Sequence, residues 1–481
     1  MGCWLAAELK TAGVDVVVLE KKAQRDPHSK ALTVLPRTLE LFAMRGIVGR
    51  WLETGTPVPS SHFAMNTRLD FSFLETRYPY VLFFPQARTT ELLEEHALSL
   101  GVPVLHEHSV TGATQDEDGV SVAAETPAGS KTFRARFAVG CEGGSSPVRK
   151  SAGIDLVGSR ATLHFVMGDV VLSDPPDVPT LTLNHDAGAL LLVRLGDDVF
   201  RLAPIDLTTM HDGRDEPPTL DELKSAVLRV AGTDYGMHTA RWLTRWGNAT
   251  LQADRYRAGR LLLAGDSAHL FPPLGGQGLN LGFQDATNLA WKLAAHIRGW
   301  APPGLLDTYQ GERHPVGAVV FDDTLAQMAL VANATPEGRA LRRRFEAIIG
   351  THTPVNRELA LRLSGLAIVY PSEHGEEHPL TGRHAPDLEL ERAPARSVFG
   401  LLATARFVLL DLTGGRLRLP GAGERADRLD VVVGQLTDQL PEWADLQAVL
   451  IRPDGHVAWA TDDPDCAVEQ AQSALARWLD P

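Results

Sequence analysis

Cysteine is scarce: Cys3, Cys141 and Cys466 lie far apart and form no CxxC pair. That excludes a disulfide framework and a zinc set, and it leaves buried free thiols in a reducing cytoplasm as the expectation. Long apolar runs are missing too. None approaches the ~20 residues that a membrane-spanning helix needs. The start, Met1 to Lys10, reads as part of a helix rather than as a secretion signal. Positive charge is in deficit, with 46 basic against 60 acidic residues and a formal net charge of −14. Binding a phosphate backbone relies on clustered Lys and Arg, so a nucleic-acid partner is not expected. Repeats and low-complexity tracts are absent. The remainder is ordinary globular composition on 481 residues, long enough for two or three domains.

Residues Gly2 to Thr11 carry Leu5, Ala6 and Leu9 on one helical face, and Gly13 ends that helix. The run Val14 to Glu20 then reads as a buried parallel strand with an acid at its carboxyl end, the second half of a βαβ nucleotide-binding unit. Helices are predicted at Thr38 to Arg45 and Thr90 to Leu100, with short strands and turns from Val102 to Val139. Alternating runs from about Leu163 to Trp246, broken by a Pro- and Asp-rich loop at Asp212 to Pro218, predict a separate inserted sheet. Arg260 to Asp266 returns to parallel-strand character, and a long helix follows, roughly Leu281 to Arg298. Tyr370 to Pro386 reads as a linker. Beyond it, strands at Phe407 to Asp411, Leu429 to Val433 and Ala448 to Ile451, a hairpin-like Arg452 to Trp459 and a helix at Ala467 to Leu479 predict a small α/β domain.

The most specific stretch is Gly265-Asp266-Ser267-Ala268-His269-Leu270-Phe271-Pro272-Pro273-Leu274-Gly275-Gly276-Gln277-Gly278-Leu279-Asn280. A strand delivers Asp266, whose carboxylate can accept hydrogen bonds from ribityl hydroxyls. Gly275, Gly276 and Gly278 then remove side chains where a flat ring must approach backbone, at a helix start able to stabilise an anion. A hydrolase triad of Ser267, His269 and Asp266 is rejected, because the G-x-S-x-G elbow is absent and residues this close cannot form the relay.

This segment resembles the second flavin-binding motif of class A flavoprotein monooxygenases, in the branch that holds polyketide hydroxylases and rifampicin monooxygenase. The rest of the chain is similar in order. Glu20, with Lys21, matches the strand-end acid that binds the adenosine ribose. Ser29-Lys30-Ala31 through Pro36-Arg37-Thr38 matches the segment passing the flavin, which implicates Lys30 and Arg37. Gln86 matches a cofactor-contacting glutamine, and Val110 a strand beside the adenine. Glu142-Gly143 stands where the family has Asp-Gly, keeping the charge with one more methylene. An isolated Lys such as Lys30 is as readily a solvated surface charge, and His269 reads more as a packed helix-start residue than as a catalyst.

The resemblance implies an α/β protein in five parts: a Rossmann-like FAD-binding domain (1–160), an inserted sheet-rich substrate domain (161–256), the rest of the FAD domain with a helical region (257–370), a linker (371–386) and a thioredoxin-like C-terminal domain (387–481). The family opens with a strand and G-x-G-x-x-G, whereas Met1-Gly2 matches only the last glycine. The first strand and first glycines are thus missing, and the expectation is a true start upstream. Gly2, Gly265, Asp266, Pro273, Gly275, Gly278, Leu279 and Asn280 complete the implied cofactor set. The implied reaction is hydroxylation of a bulky phenolic or polyketide-like ring by FAD, NADPH (or NADH) and O2 through a flavin hydroperoxide, with no catalytic base assigned. A homodimer is compatible with this. Two alternatives stand beside it: a non-catalytic ligand binder, and a flavin oxygenase of the Baeyer–Villiger type.

Overall fold

The opening helix, Gly2–Thr11, buries Trp4, Leu5, Ala6, Ala7 and Leu9 along one side. The computed structural model describes every residue except 66, 197, 212–215, 372–377 and 439. Parts of the predicted loop at Asp212 to Pro218 and of the 371–386 linker therefore lie outside the described residues. The strand expected from Val14 to Glu20 pairs only at Val18–Leu19, parallel to Val104–Leu105. A second parallel pair joins Ala138–Gly140 to Leu261–Leu263. The two pairs share no ladder among the described residues, and Val17 beside the first is 42% exposed. A strand extends only where a neighbour supplies ladder partners, so residues 14–17 stay outside the sheet.

The predicted helices form with earlier starts. Pro36–Met44 begins on a proline whose fixed φ suits the first helical position. Gln86–Ser99 begins straight after Pro85, and Gln277–Arg298 starts on the glycine turn itself. Thr308–Val331, Pro336–Thr351 and Thr353–Ser364 make up the helical region. No single helix among the described residues is long and apolar enough to cross a membrane.

The inserted sheet has five antiparallel strands in the order Thr180–His185, Gly188–Arg194, Val199–Asp206, His164–Leu172, Met237–Gly247. One face is covered by a helix, Leu220–Ala231, which alternation alone did not predict. Its signature was nonetheless complete. The Thr219 side chain accepts from the Glu222 N–H, Leu223, Ala226, Val227 and Val230 line the buried side, and Gly232 ends it at φ +74°. On the other face, Asn184, Ala189 and Ile205 lie level on three adjacent strands. Phe165 and Trp246 lie level on the remaining two. Ala189, Ile205 and Phe165 share one apolar cluster with Leu35, Phe71 and Leu274.

The C-terminal sheet runs Leu429–Val433, Phe407–Asp411, Ala448–Ile451, Val457–Thr461, the first two parallel and the rest antiparallel. Helix Ala467–Leu479 packs on it. The turn Arg452–His456 is buried against the preceding domain. Arg452 meets both Glu312 oxygens at 2.8 Å and also pairs with Asp454. Lys292 reaches Glu312 at 2.7 Å, and the Trp291 indole N–H donates to Asp454 at 3.1 Å. The turn's carbonyls are claimed as well: Arg45 donates to Pro453 O at 2.9 Å and Arg37 to Asp454 O at 2.8 Å. Burial alone would push the Glu312 carboxyl up, but Arg452 and Lys292 hold it at about 2.

Candidate cofactor and substrate site

Strand Leu261–Leu263 ends at Gly265, whose φ of +62° swings the chain into the turn Gly265–Ser267. Asp266 stands on that turn, exposed, with no side-chain partner among the described residues. The turn is fixed from behind. Gly265 N–H donates to Asp285 Oδ2 at 3.2 Å, and Asp285 is itself held by His269 at 2.7 Å and Arg313 at 2.8 Å. All three are buried, and the two bases outweigh the burial that would raise the Asp285 carboxyl, so it stays below the usual range. His269 is therefore an anchor, as its reading as a packed residue implied. Arg313 continues to Tyr370 Oη at 3.2 Å, and that ring lies 4.2 Å from the His456 ring of the docked turn.

Gly275 and Gly276 take φ of +69° and +66° and lead into Gln277–Arg298, whose first turn has no side-chain cap. Its leading N–H groups are thus available to an external acceptor. Around Gly278 a Cβ would meet nothing within 4 Å, while on Gly276 it would come within 2.3 Å of Thr33 Oγ1. Pro273 is exposed and Leu279 half-buried beside this space. Gly143 (φ +88°) approaches from the side, donating to Ser267 Oγ at 3.0 Å. The Glu142 carboxylate is turned inward, accepting from Val148 N–H at 3.0 Å and Ser267 Oγ at 3.2 Å. Gln86 Oε1 accepts from the Lys30 and Ala31 amides at 3.1 and 3.0 Å, fixing the 30–31 loop, while the Lys30 side chain is exposed. The Lys30 carbonyl accepts from Arg201 at 3.2 Å, and Arg201 pairs with Asp169 on the sheet above at 2.7 Å.

Farther along, Gly2 opens the first helix near Val18 and Cys141. Met1 lies against Gly265 and Gly282 and so joins that end to the Asp266 turn. Glu20 is half-exposed, with Lys21 outside it; its carbonyl accepts from His108 N–H at 2.9 Å, next to the strand Ser109–Gln115 that holds Val110.

Two residues of the expected cofactor set have their side chains engaged within the protein. Arg37 is 2% exposed, pairs with Glu40 at 2.8 Å and donates to Asp454 O, so its guanidinium docks the C-terminal turn. Asn280, also 2% exposed, accepts from Leu35 N–H at 2.9 Å and donates to Gly276 O at 2.8 Å and Thr33 O at 3.2 Å. Its amide is consumed in holding the glycine turn to the Thr33–Val34 strand. Sequence reasoning missed Asp285 and Arg313. A charge on the apolar side of a long helix was the available signal for Asp285; Arg313 had none.

The FAD binding domain family matches residues 1–324, and the aromatic-ring hydroxylase C-terminal family matches residues 378–481. A rifampicin monooxygenase of Streptomyces venezuelae is 41% identical over 96% of this chain and 94% of its own. The solved anhydrotetracycline hydroxylase of Streptomyces rimosus superimposes with a TM-score of 0.90 at 40% identity, covering 100% of this chain and 97% of that one. A dialkyldecalin synthase of Streptomyces rugosporus is 35% identical over 100% of this chain and 97% of its own.

Proposed function

The chain belongs to the FAD-dependent aromatic-ring hydroxylases, a family of monooxygenases, and from that premise we propose that it hydroxylates a bulky phenolic or polyketide-like ring with NADPH or NADH and O2. One oxygen atom enters the ring as a hydroxyl, the other leaves as water, and the nicotinamide supplies two electrons. The residues present fit FAD. We assign Glu20 to the adenosine ribose, the helix start at Gly2 to the pyrophosphate, the Asp266 carboxylate to the ribityl chain and the clear space at Gly278 to the ring, which the exposure of these positions supports. FAD, when bound, supplies the redox chemistry that activates oxygen.

The observation that carries this reading is Leu274. It sits between Pro273 and Gly275 on the cofactor turn, yet belongs to the apolar cluster beneath the five-stranded sheet. This supports a substrate compartment that adjoins the cofactor turn. The protein's tasks there are to exclude water and hold the ring; activation falls to the substrate's own phenol. We read the C-terminal domain as thioredoxin-like from its strand order. Its lone cysteine, Cys466, supports a docking role over thiol exchange.

The test is turnover of a phenolic panel under labelled oxygen, with NADPH consumption followed in parallel. The expected result is substrate-dependent NADPH oxidation with one labelled atom in the product. A lactone or ester product would move the enzyme to Baeyer–Villiger insertion. A cyclised product formed without oxygen would sink the monooxygenase reading.

A further inference from the structure

Most buried polar side-chain atoms in a folded protein have a hydrogen-bond partner, so those without one are informative. Three such atoms lie along the underside of the five-stranded sheet: His62 Nδ1, Asn184 Oδ1 and Trp246 Nε1. Asn184 stands on one edge strand and Trp246 on the other. Between them the level positions are apolar, namely Ala189, Ile205 and Phe165. Five strands at ~4.8 Å spacing put about 19 Å between the two edges.

His62 joins the Asn184 end. Its Nε2 lies 3.3 Å from Thr182 Oγ1, and Thr182 shares a sheet face with Asn184, two residues on. The Asn184 amide N–H donates to Met65 O at 3.4 Å, which aims Oδ1 elsewhere. Burial, with Arg68 nearby, lowers the His62 imidazole and keeps it neutral. A neutral ring receiving the Thr182 hydroxyl at Nε2 carries its proton on Nδ1. With the Thr182 hydroxyl donating to Nε2, this end offers one donor, His62 Nδ1, and one acceptor, Asn184 Oδ1, at the same edge of the sheet. A hydroxyl is the group that satisfies both at once.

We infer that His62 and Asn184 form a polar end-subsite that grips a hydroxyl at one end of an elongated fused-ring substrate, with the Trp246 indole N–H offered to an oxygen at the other end. This rests on the hydroxylase reading for the substrate compartment.

The test uses the flavin-loaded full chain and equilibrium dialysis with two probes, a dihydroxyanthracene bearing a hydroxyl at each end and the monohydroxyanthracene lacking one of them. One well-made hydrogen bond to a buried hydroxyl corresponds to about tenfold in affinity, so the wild type should prefer the diol by about tenfold. His62→Phe and Asn184→Leu should each reduce that preference to about twofold or less. His62→Asn, which returns an amide near the Nδ1 position, should keep most of it. Melting temperature is the second readout: Trp246→Phe removes only an unpartnered N–H and leaves it equal or higher. Equal affinity for the two probes, binding of neither, or a lower melting temperature for Trp246→Phe would each overturn the subsite. Preferential binding without hydroxylated product overturns the hydroxylase reading and leaves the subsite standing. Product from both probes with no preference does the reverse.

Discussion

The docked turn Arg452–His456 and the underside of the five-stranded sheet are both buried and both hold polar groups, yet they are built on opposite rules. At the turn, charges meet charges: Arg452, Lys292, Glu312 and Asp454 saturate one another and arginines from the first domain take two of the turn's carbonyls, although His456 Nδ1 and the neighbouring Asn288 Oδ1 keep no hydrogen bond. Under the sheet, His62, Asn184 and Trp246 are neutral and keep an atom without a partner. A saturated network fixes one arrangement of two domains, whereas an unsaturated one is completed by something that arrives later. The same side-chain chemistry thus does structural work at one site and recognition at the other, according to whether the protein supplies the second half of each bond.

The sharpest way to break that contrast is Arg452→Met, which leaves Glu312 and Asp454 buried opposite Lys292 alone. A loss of ~3–5 kcal/mol is expected in denaturant unfolding. A loss under ~1 kcal/mol would mean that the turn is not a saturated network. Acid should act on the same region. His456 is pulled down to about 4 from the usual 6.5 by burial, despite the Asp454 carboxylate beside it. A lowered folded value means protons bind on unfolding, so this contribution is full above pH ~6.5 and is lost as pH falls towards 4. On the order of 3 kcal/mol is at stake across that window. Glu312, at about 2, extends the decline from the normal carboxylate range downward. His456→Phe should flatten the melting temperature between pH 6.5 and 4 and leave the lower limb.

Two smaller effects concern the other side of the comparison. Gly278→Val fills open space, so the apoprotein should melt within ~0.5 kcal/mol of wild type while flavin affinity falls at least about tenfold by ultrafiltration. A matching loss of apoprotein stability would mean that the space is not free. Trp246→Phe removes an unpartnered N–H while keeping most of the ring contact with Phe165, 4.4 Å away. Stability should not fall, while the Michaelis constant for an oxygenated fused-ring substrate rises several-fold with little change in kcat, as steady-state kinetics would show.

What was legible in the sequence was what one short stretch accomplishes by itself. Asp266 and the three glycines work through local backbone, so their order along the chain already carried their placement. The docking role of Arg37 was not legible because its partner, the Asp454 carbonyl, lies 417 residues away, and no local pattern announces such a pairing. Asn280 sits inside the motif, yet its amide faces Leu35, Thr33 and Gly276 rather than outward. Membership in a motif did not fix the direction of the side chain. Helix Leu220–Ala231 was legible from its caps and spacing, but the alternating runs on either side drew the reading toward strand.

The Arg45 contact to Pro453 spans 408 residues, and this sets a timetable. A ribosome adding roughly 5–20 residues per second makes Arg45 roughly 20–80 s, and Glu312 roughly 7–28 s, before it reaches the turn that pairs with them. Until then Arg37, Arg45 and Glu312 lack the partners that the turn brings. A chain without Arg452–His456 keeps the Arg37–Glu40, Arg45–Glu8 and Lys292–Glu312 pairs but loses the bonds that the turn adds to each. The last thirty residues thus complete the hydrogen bonding of side chains made long before them.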